Sequence, residues 1–188
     1  MMILLRLAAL VGAASLSPVC WRIPRVDQQD YCYADIAFTV ERKEGKINMT
    51  AAEYDYDIMT MYKGNPKGRK LIGRGVADSC GTEVLNPNTI YLIYAKTDDE
   101  GDFLRIVSYK EINDVTYEDI ERMKKYYDCS CKISINNFDL PGAPRRPSNG
   151  LSDPPLNGCE VPFNYCHRSA YCKNIEGKCT WGNHGECN

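Results

Sequence analysis

Apolar and polar residues alternate at several places along the chain, and that two-residue period predicts strands. Ile36, Phe38 and Val40 alternate with Ala37, Thr39 and Glu41. Tyr54, Tyr56, Ile58, Thr60 and Tyr62 alternate with Asp55, Asp57, Met59 and Met61, which predicts a longer strand rich in aromatics. The run Lys63-Gly64-Asn65-Pro66-Lys67-Gly68 has turn composition and separates it from a third strand, Leu71 to Ala77. A fourth and a fifth strand, Thr89 to Lys96 and Phe103 to Tyr109, flank the acidic turn Asp98-Asp99-Glu100-Gly101-Asp102 and read as a hairpin. Five short strands with this punctuation predict a small barrel or sandwich rather than a parallel sheet. The tyrosines at 54, 56 and 62 then read as a barrel face and not as a ligand platform.

One segment has a helical period instead. Tyr117, Ile120, Met123, Lys124 and Tyr127 share a face, and Thr116 with Asp119 three residues on forms a capping box. Glu118 with Arg122 and Glu121 with Lys125 are spaced to pair, acids toward the start and bases toward the end. After Ile135 the character changes. Residues 138–158 hold Pro141, Pro144, Pro147, Pro154 and Pro155 among glycines and serines, a linker composition. Residues 159–188 carry five cysteines and few aliphatics, a tail that depends on disulfides for lack of apolar surface to bury.

Composition adds a compartment. Residues 1–15 carry one cation, Arg6, then an apolar run ending in Gly12-Ala13-Ala14-Ser15, which reads as a secretory signal peptide. Cleavage follows Ser15 or, at the alternative boundary, Val19. No later stretch has the length of a membrane span, so the expected location is secreted and extracellular, without a membrane partner. The ten cysteines then imply a disulfide framework. Five lie on each side of the linker, so if all are paired at least one bridge ties the two parts together. The formal charge is −2 and the Lys and Arg residues are scattered, which gives no footprint for nucleic acid.

The stretch Cys20-Trp21-Arg22-Ile23-Pro24-Arg25-Val26-Asp27-Gln28-Gln29-Asp30-Tyr31-Cys32 resembles the opening of the tissue inhibitors of metalloproteinases, C-x-C-x-P-x-H-P-Q-x-x-aromatic-C. Cys20, Pro24, Gln28, Tyr31 and Cys32 match in register. Further anchors follow in order: Ala34-Asp35-Ile36, Met61-Tyr62-Lys63-Gly64, Cys80-Gly81, Tyr91-Leu92-Ile93 and Cys129-Ser130-Cys131. The resemblance covers residues 20–135, the netrin-like domain of that family. It implies a mainly β fold with a flanking helix: a five-stranded OB-like barrel plus a small disulfide-rich C-terminal tail. It also implies the bridges Cys20–Cys80, Cys32–Cys129 and Cys131–Cys179. Cys159, Cys166, Cys172 and Cys187 then pair in one of three ways.

The implied activity is inhibition of zinc metalloendopeptidases, which would be the partners. The α-amine and carbonyl of Cys20 chelate the zinc of the bound protease, and Trp21 enters its specificity pocket. Arg22 and Ile23 continue this ridge, and Ser79 and Cys80 flank it. The sequence departs from the family in one respect. Arg22 replaces the second N-terminal cysteine, and its usual partner position, within Ile106-Val107-Ser108, has no cysteine either. That bridge closes a loop of about 85 residues and is worth roughly 4 kcal/mol. The alternative function is therefore a netrin-like matrix or binding protein that does not inhibit proteases and whose partners are extracellular matrix components.

Cys20 is a structural half-cystine in either case, and Trp21 otherwise covers the barrel or the tail. In an oxidising compartment Cys129 and Cys131 serve bridges rather than metal or redox chemistry. His167 and His184 lack an accompanying cysteine pair of zinc-site spacing. With the thiols in bridges and no nucleophile motif, the sequence suggests neither an enzyme nor a cofactor. Asn48-Met49-Thr50 is the one N-glycosylation sequon of the N-x-Ser/Thr form.

Overall fold

A computed structural model of the chain describes residues 26–68, 70–134, 157–160 and 170–183. The five expected strands are β1 (Ile36–Ile47), β2 (Ala51–Lys63), β3 (Lys70–Arg74), β4 (Ile90–Thr97) and β5 (Phe103–Glu111). They close a barrel in the order β1-β2-β3-β5-β4. All neighbours are antiparallel except β3 and β5, which run parallel from Lys70↔Phe103 to Ile72↔Arg105. The fold is thus mainly β, built on a closed five-stranded barrel of OB-like strand order. Alternation fills its interior with Phe38, Val40, Tyr54, Leu71, Ile93 and Leu104, none of them exposed.

The opposite face of β1 and β4 carries Ala37, Leu92 and Tyr94, and two short helices cover it. The sequence predicts one of them. α2 (Tyr117–Glu121) begins at the predicted capping box: Thr116 accepts from the Asp119 N–H at 3.2 Å, and the Asp119 carboxylate accepts from the Thr116 N–H at 2.9 Å. It is shorter than the apolar period suggests and passes into a π-helical turn, Arg122–Tyr126. The wider turn swings Met123 under Tyr94, whose hydroxyl lies 3.3 Å from the sulfur. Tyr117, expected on the packed face, is 72% exposed. Arg122 is buried and pairs with Asp119 rather than Glu118, because only the buried carboxylate compensates a buried guanidinium. Glu121 and Lys125 pair as expected.

The other helix, α1 (Asp27–Tyr33), has no sequence signature. Val26 stands at its N-cap with no side-chain oxygen, and the Gln29 carboxamide accepts from the Val26 N–H instead, at 3.1 Å. At its end Lys63 donates to the carbonyls of Tyr31 (2.7 Å) and Ala34 (2.6 Å), a cation on the negative pole of the helix. Two further differences concern strand lengths. β1 and β2 extend as a long hairpin through the charged run 41–47; Glu41 still pairs with Ile90 of β4, and from Gly45 the strand pairs with β2 alone. β3 stops at Arg74, three residues before the expected end.

The described part of the tail is strand, not irregular coil. β6 (Lys132–Ser134) runs parallel to β7 (Gly158–Glu160). β8 (Ala170–Ile175) and β9 (Lys178–Asn183) form a hairpin whose two turn residues, Glu176 and Gly177, both have positive φ, the two-residue hairpin turn of type I′. The bridges Cys32–Cys129, Cys131–Cys179 and Cys159–Cys172 hold this end together. The first two are pairs the resemblance implies, and the third involves two of the four cysteines it left open. Non-covalent contacts fasten the same end. Gln28 of α1 is 2% exposed. Its amide nitrogen donates to the carbonyls of Cys172 (2.7 Å) and Asp128 (3.1 Å), and its oxygen accepts from the Cys172 N–H (2.7 Å). Tyr126 stacks on Tyr171 with centroids 4.8 Å apart. The Asp128 carboxylate accepts from the Asn174 N–H at 3.0 Å.

Two predictions follow from this junction. Gln28→Ala leaves one donor and two acceptors of the backbone unsatisfied at a buried position, at a cost of about 3 kcal/mol. Urea unfolding of the oxidised protein measures that loss, and faster amide exchange at Cys172 localises it. The Ser130 hydroxyl, then the Asn174 and Ser130 N–H groups, hold the Asp128 carboxyl below its ordinary value. A depressed carboxyl contributes stability above its unfolded value and loses it as pH falls through the folded one. The Asn174 amide resonance therefore shifts with an acidic midpoint below the usual carboxylate range, and Asp128→Asn abolishes that titration.

Candidate functional site

Of the predicted ridge, Cys20, Trp21, Arg22 and Ile23 lie outside the described residues, as do Cys166, Cys187, His167 and His184. Ser79 and Cys80 are described. They occupy a turn between β3 and β4, where Ser79 is exposed and Cys80 half-buried. The Asp78 carboxylate accepts from the Cys80 N–H at 2.8 Å, and the Gly81 N–H closes the turn on the Asp78 carbonyl at 3.0 Å. Gly81 has φ +82°, which the turn requires and a side chain resists. Cys80 is half of a disulfide whose other half lies outside the described residues.

The loop is docked on the tip of the β1–β2 hairpin. Val76 N–H donates to the Asn48 carbonyl (3.0 Å) and Ala77 N–H to the Met49 carbonyl (2.8 Å). The two backbones touch at Gly75, where a Cβ would lie 2.7 Å from the Met49 carbonyl oxygen, so only glycine fits. Asn48 shapes the tip itself. Its side-chain oxygen accepts from the Thr50 N–H (2.9 Å), the Thr50 hydroxyl (3.0 Å) and the Ala51 N–H (2.8 Å), an Asx turn that reverses the chain.

After Gly81 the chain returns across the end of the barrel and is pinned there. The Glu83 carboxylate is buried, accepts from the Arg74 N–H at 2.9 Å and pairs with the Arg74 guanidinium at 2.9 Å. The Tyr54 hydroxyl, rising from inside the barrel, donates to the Glu83 carbonyl (2.5 Å) and accepts from the Leu85 N–H (3.3 Å). Burial pushes the Tyr54 phenol upward, so it stays protonated and keeps donating. Tyr91 supplies a similar hydroxyl acceptor to the Asn86 N–H at 2.8 Å. Residues 75–85 are therefore a loop held at both flanks: Leu85 is buried in the barrel core, while Val76 and Val84 turn outward. Met49 is 62% and Val76 56% exposed, and Val84 is exposed as well. Exposed apolar residues beside a fixed turn make a surface suited to protein contact.

The sequence singles out Ser79, Cys80 and Asn48 but not Tyr54, Arg74 or Glu83, whose roles arise from contacts between distant segments. The Asn-x-Thr triplet between two strands carries a turn signal as well as the sequon. The sulfurs of Cys131, Cys172 and Cys179 lie within 4.8 Å of one another, the one such cluster of metal-ligating residue types among the described residues. All three are oxidised in disulfides and offer no thiolate to a metal. Trp181 packs on these bridges.

Tyr54→Phe removes the hydroxyl that satisfies both the Glu83 carbonyl and the Leu85 N–H. The expected loss is about 2 kcal/mol of unfolding free energy with the barrel intact. Denaturant titration with circular dichroism of the folded baseline checks both parts.

No protein-family model and no curated protein sequence matches the chain.

Proposed function

We propose that the protein is a secreted inhibitor of zinc metalloendopeptidases, of the tissue-inhibitor type. The observation that carries this reading is the Cys80 turn. It is disulfide-bonded, fixed to the barrel rim through Gly75, Glu83 and Tyr54, and bordered by exposed Met49 and Val76. In this reading Cys80 is bonded to Cys20, so the rigid turn carries the N-terminal residues against a protease cleft. The Cys20 α-amine and carbonyl oxygen replace the zinc-bound water, and Trp21 fills the adjoining specificity pocket. Preorganisation by the barrel lowers the entropy cost of docking. Secretion accords with the disulfides, which require an oxidising environment. Among the described residues no helix is long and apolar enough to cross a membrane.

A second reading is a netrin-like matrix or binding protein without inhibitory activity. It is favoured by β5, where Ile106-Val107-Ser108, the stretch from which the family's second bridge would reach residue 22, holds no cysteine and Val107 packs into the outer cluster. Without that bridge the ridge depends on Cys20 alone for its position.

The mature N-terminus decides between the two. Intact mass and N-terminal sequencing of the secreted protein are expected to give Cys20, and the protein is expected to inhibit a member of a metalloproteinase panel. Adding one alanine before Cys20 turns the free amine into a peptide nitrogen and weakens inhibition by more than about thirtyfold, the scale of losing a hot spot. A terminus at Leu16, or equal potency of the extended form, leaves the second reading.

A further inference from the structure

The Asn48 carboxamide is committed on one side and free on the other. Its oxygen takes three hydrogen bonds within the hairpin tip, while its nitrogen donates to nothing among the described residues. The oxygen bonds fix the plane of the amide, so the free nitrogen points away from the turn. Asn48-Met49-Thr50 is also an acceptor triplet for N-glycosylation. Attachment uses the nitrogen only. The amide nitrogen bonds to C1 of the first sugar, the C1–oxygen bond to a lipid-diphosphate donor breaks, and one amide proton leaves with the diphosphate. The carbonyl oxygen is untouched, so the turn that presents the asparagine survives its modification.

The root of such a glycan lies at the edge described above. The carbonyls of Asn48 and Met49 accept from Val76 and Ala77, in the part of the loop that leads to Ser79 and Cys80. Met49 adjoins the root in sequence, and Val76 adjoins it through that hydrogen bond; both are exposed. Pyranose rings have apolar C–H faces, and Met49 and Val76, with exposed Ile47 preceding the root, offer apolar surface on which inner sugars can lie.

We propose that Asn48 carries an N-linked glycan whose inner sugars cover the Met49–Val76 surface, so that the glycoform sets how open the edge beside Cys80 is to a protein partner. The part of this concerning the partner rests on the reading of that edge as a protease-docking surface; the part concerning coverage does not.

The test uses full-length protein secreted from glycosylating cells, before and after an endoglycosidase trims the glycan to a single N-acetylglucosamine. Thr50→Ser keeps the acceptor triplet, and Thr50→Ala removes it while leaving Asn48 and the backbone N–H donors of the turn. Intact mass reads occupancy. Hydrogen peroxide oxidation of Met49, timed against Met59 in the same molecule, reads coverage. Met59 is 55% exposed on the far part of β2 and serves as the internal reference. The expected result is several-fold slower oxidation of Met49 in the wild type and Thr50→Ser, restored by trimming and by Thr50→Ala, with Met59 constant. Inhibition is expected to be several-fold tighter after trimming. An unmodified Asn48, equal Met49 rates before and after trimming, or equal potency of the two glycoforms overturns the proposal. Shielding of Met49 with no inhibition by either form instead overturns the inhibitor reading and leaves the coverage standing.

Discussion

The carboxamide of Gln28 sits where three pieces of chain meet, and the junction of barrel and tail depends on its being satisfied. Its partners are 100 and 144 residues away in sequence, at Asp128 and Cys172. Buried beneath both, the side chain acts as a short piece of β-ladder, giving and taking hydrogen bonds with one residue as a neighbouring strand does. A buried amide with any of these bonds missing costs about 1–3 kcal/mol per unsatisfied group, so the arrangement tolerates little displacement. α1 is a single short helix whose N-cap residue, Val26, has no capping oxygen, and Gln28, Lys63 and the Asp27–Lys110 ion pair fasten it from three directions.

The same logic governs the Cys80 edge. Leu85 anchors the loop in the barrel core, and polar groups satisfied at the barrel rim shape the rest of the loop and the hairpin tip. The buried Glu83 carboxylate would be costly without Arg74, so that pairing fixes the loop together with the burial of Leu85. Met49, Val76 and Val84 are left outward on this frame.

What the sequence revealed divides along the same line. The five strands and the Thr116–Asp119 box were legible because they depend on local periodicity and on residues three apart. α1 was not, since Val26 lacks a capping oxygen and Asp27-Gln28-Gln29-Asp30 shows no apolar stripe; distant contacts make it a helix. The β8–β9 hairpin was hidden because Glu176 occupies a left-handed position usually held by glycine or asparagine, beside a Gly177 that alone is a weak signal. The π-helical turn depends on Met123 finding Tyr94, a contact with no trace in the local pattern. At the candidate site, cysteine, serine and the sequon announce themselves by type. Tyr54 and Glu83 look like ordinary strand and loop residues until the chain is folded.

The Cys131–Cys179 bridge gives the covalent connectivity an unusual form. It joins the end of the barrel to the last strand of the tail across 48 residues, so those residues form a closed ring and not a leash. The proline-rich stretch 138–158 lies inside that ring. A single cut anywhere in it opens the ring without parting the molecule: barrel and tail stay joined through sulfur and through Gln28. Backbone integrity between the two parts is therefore dispensable for their association, and proteolysis of the stretch at one bond would yield a nicked two-chain protein whose mass changes only by one added water until a reductant is supplied.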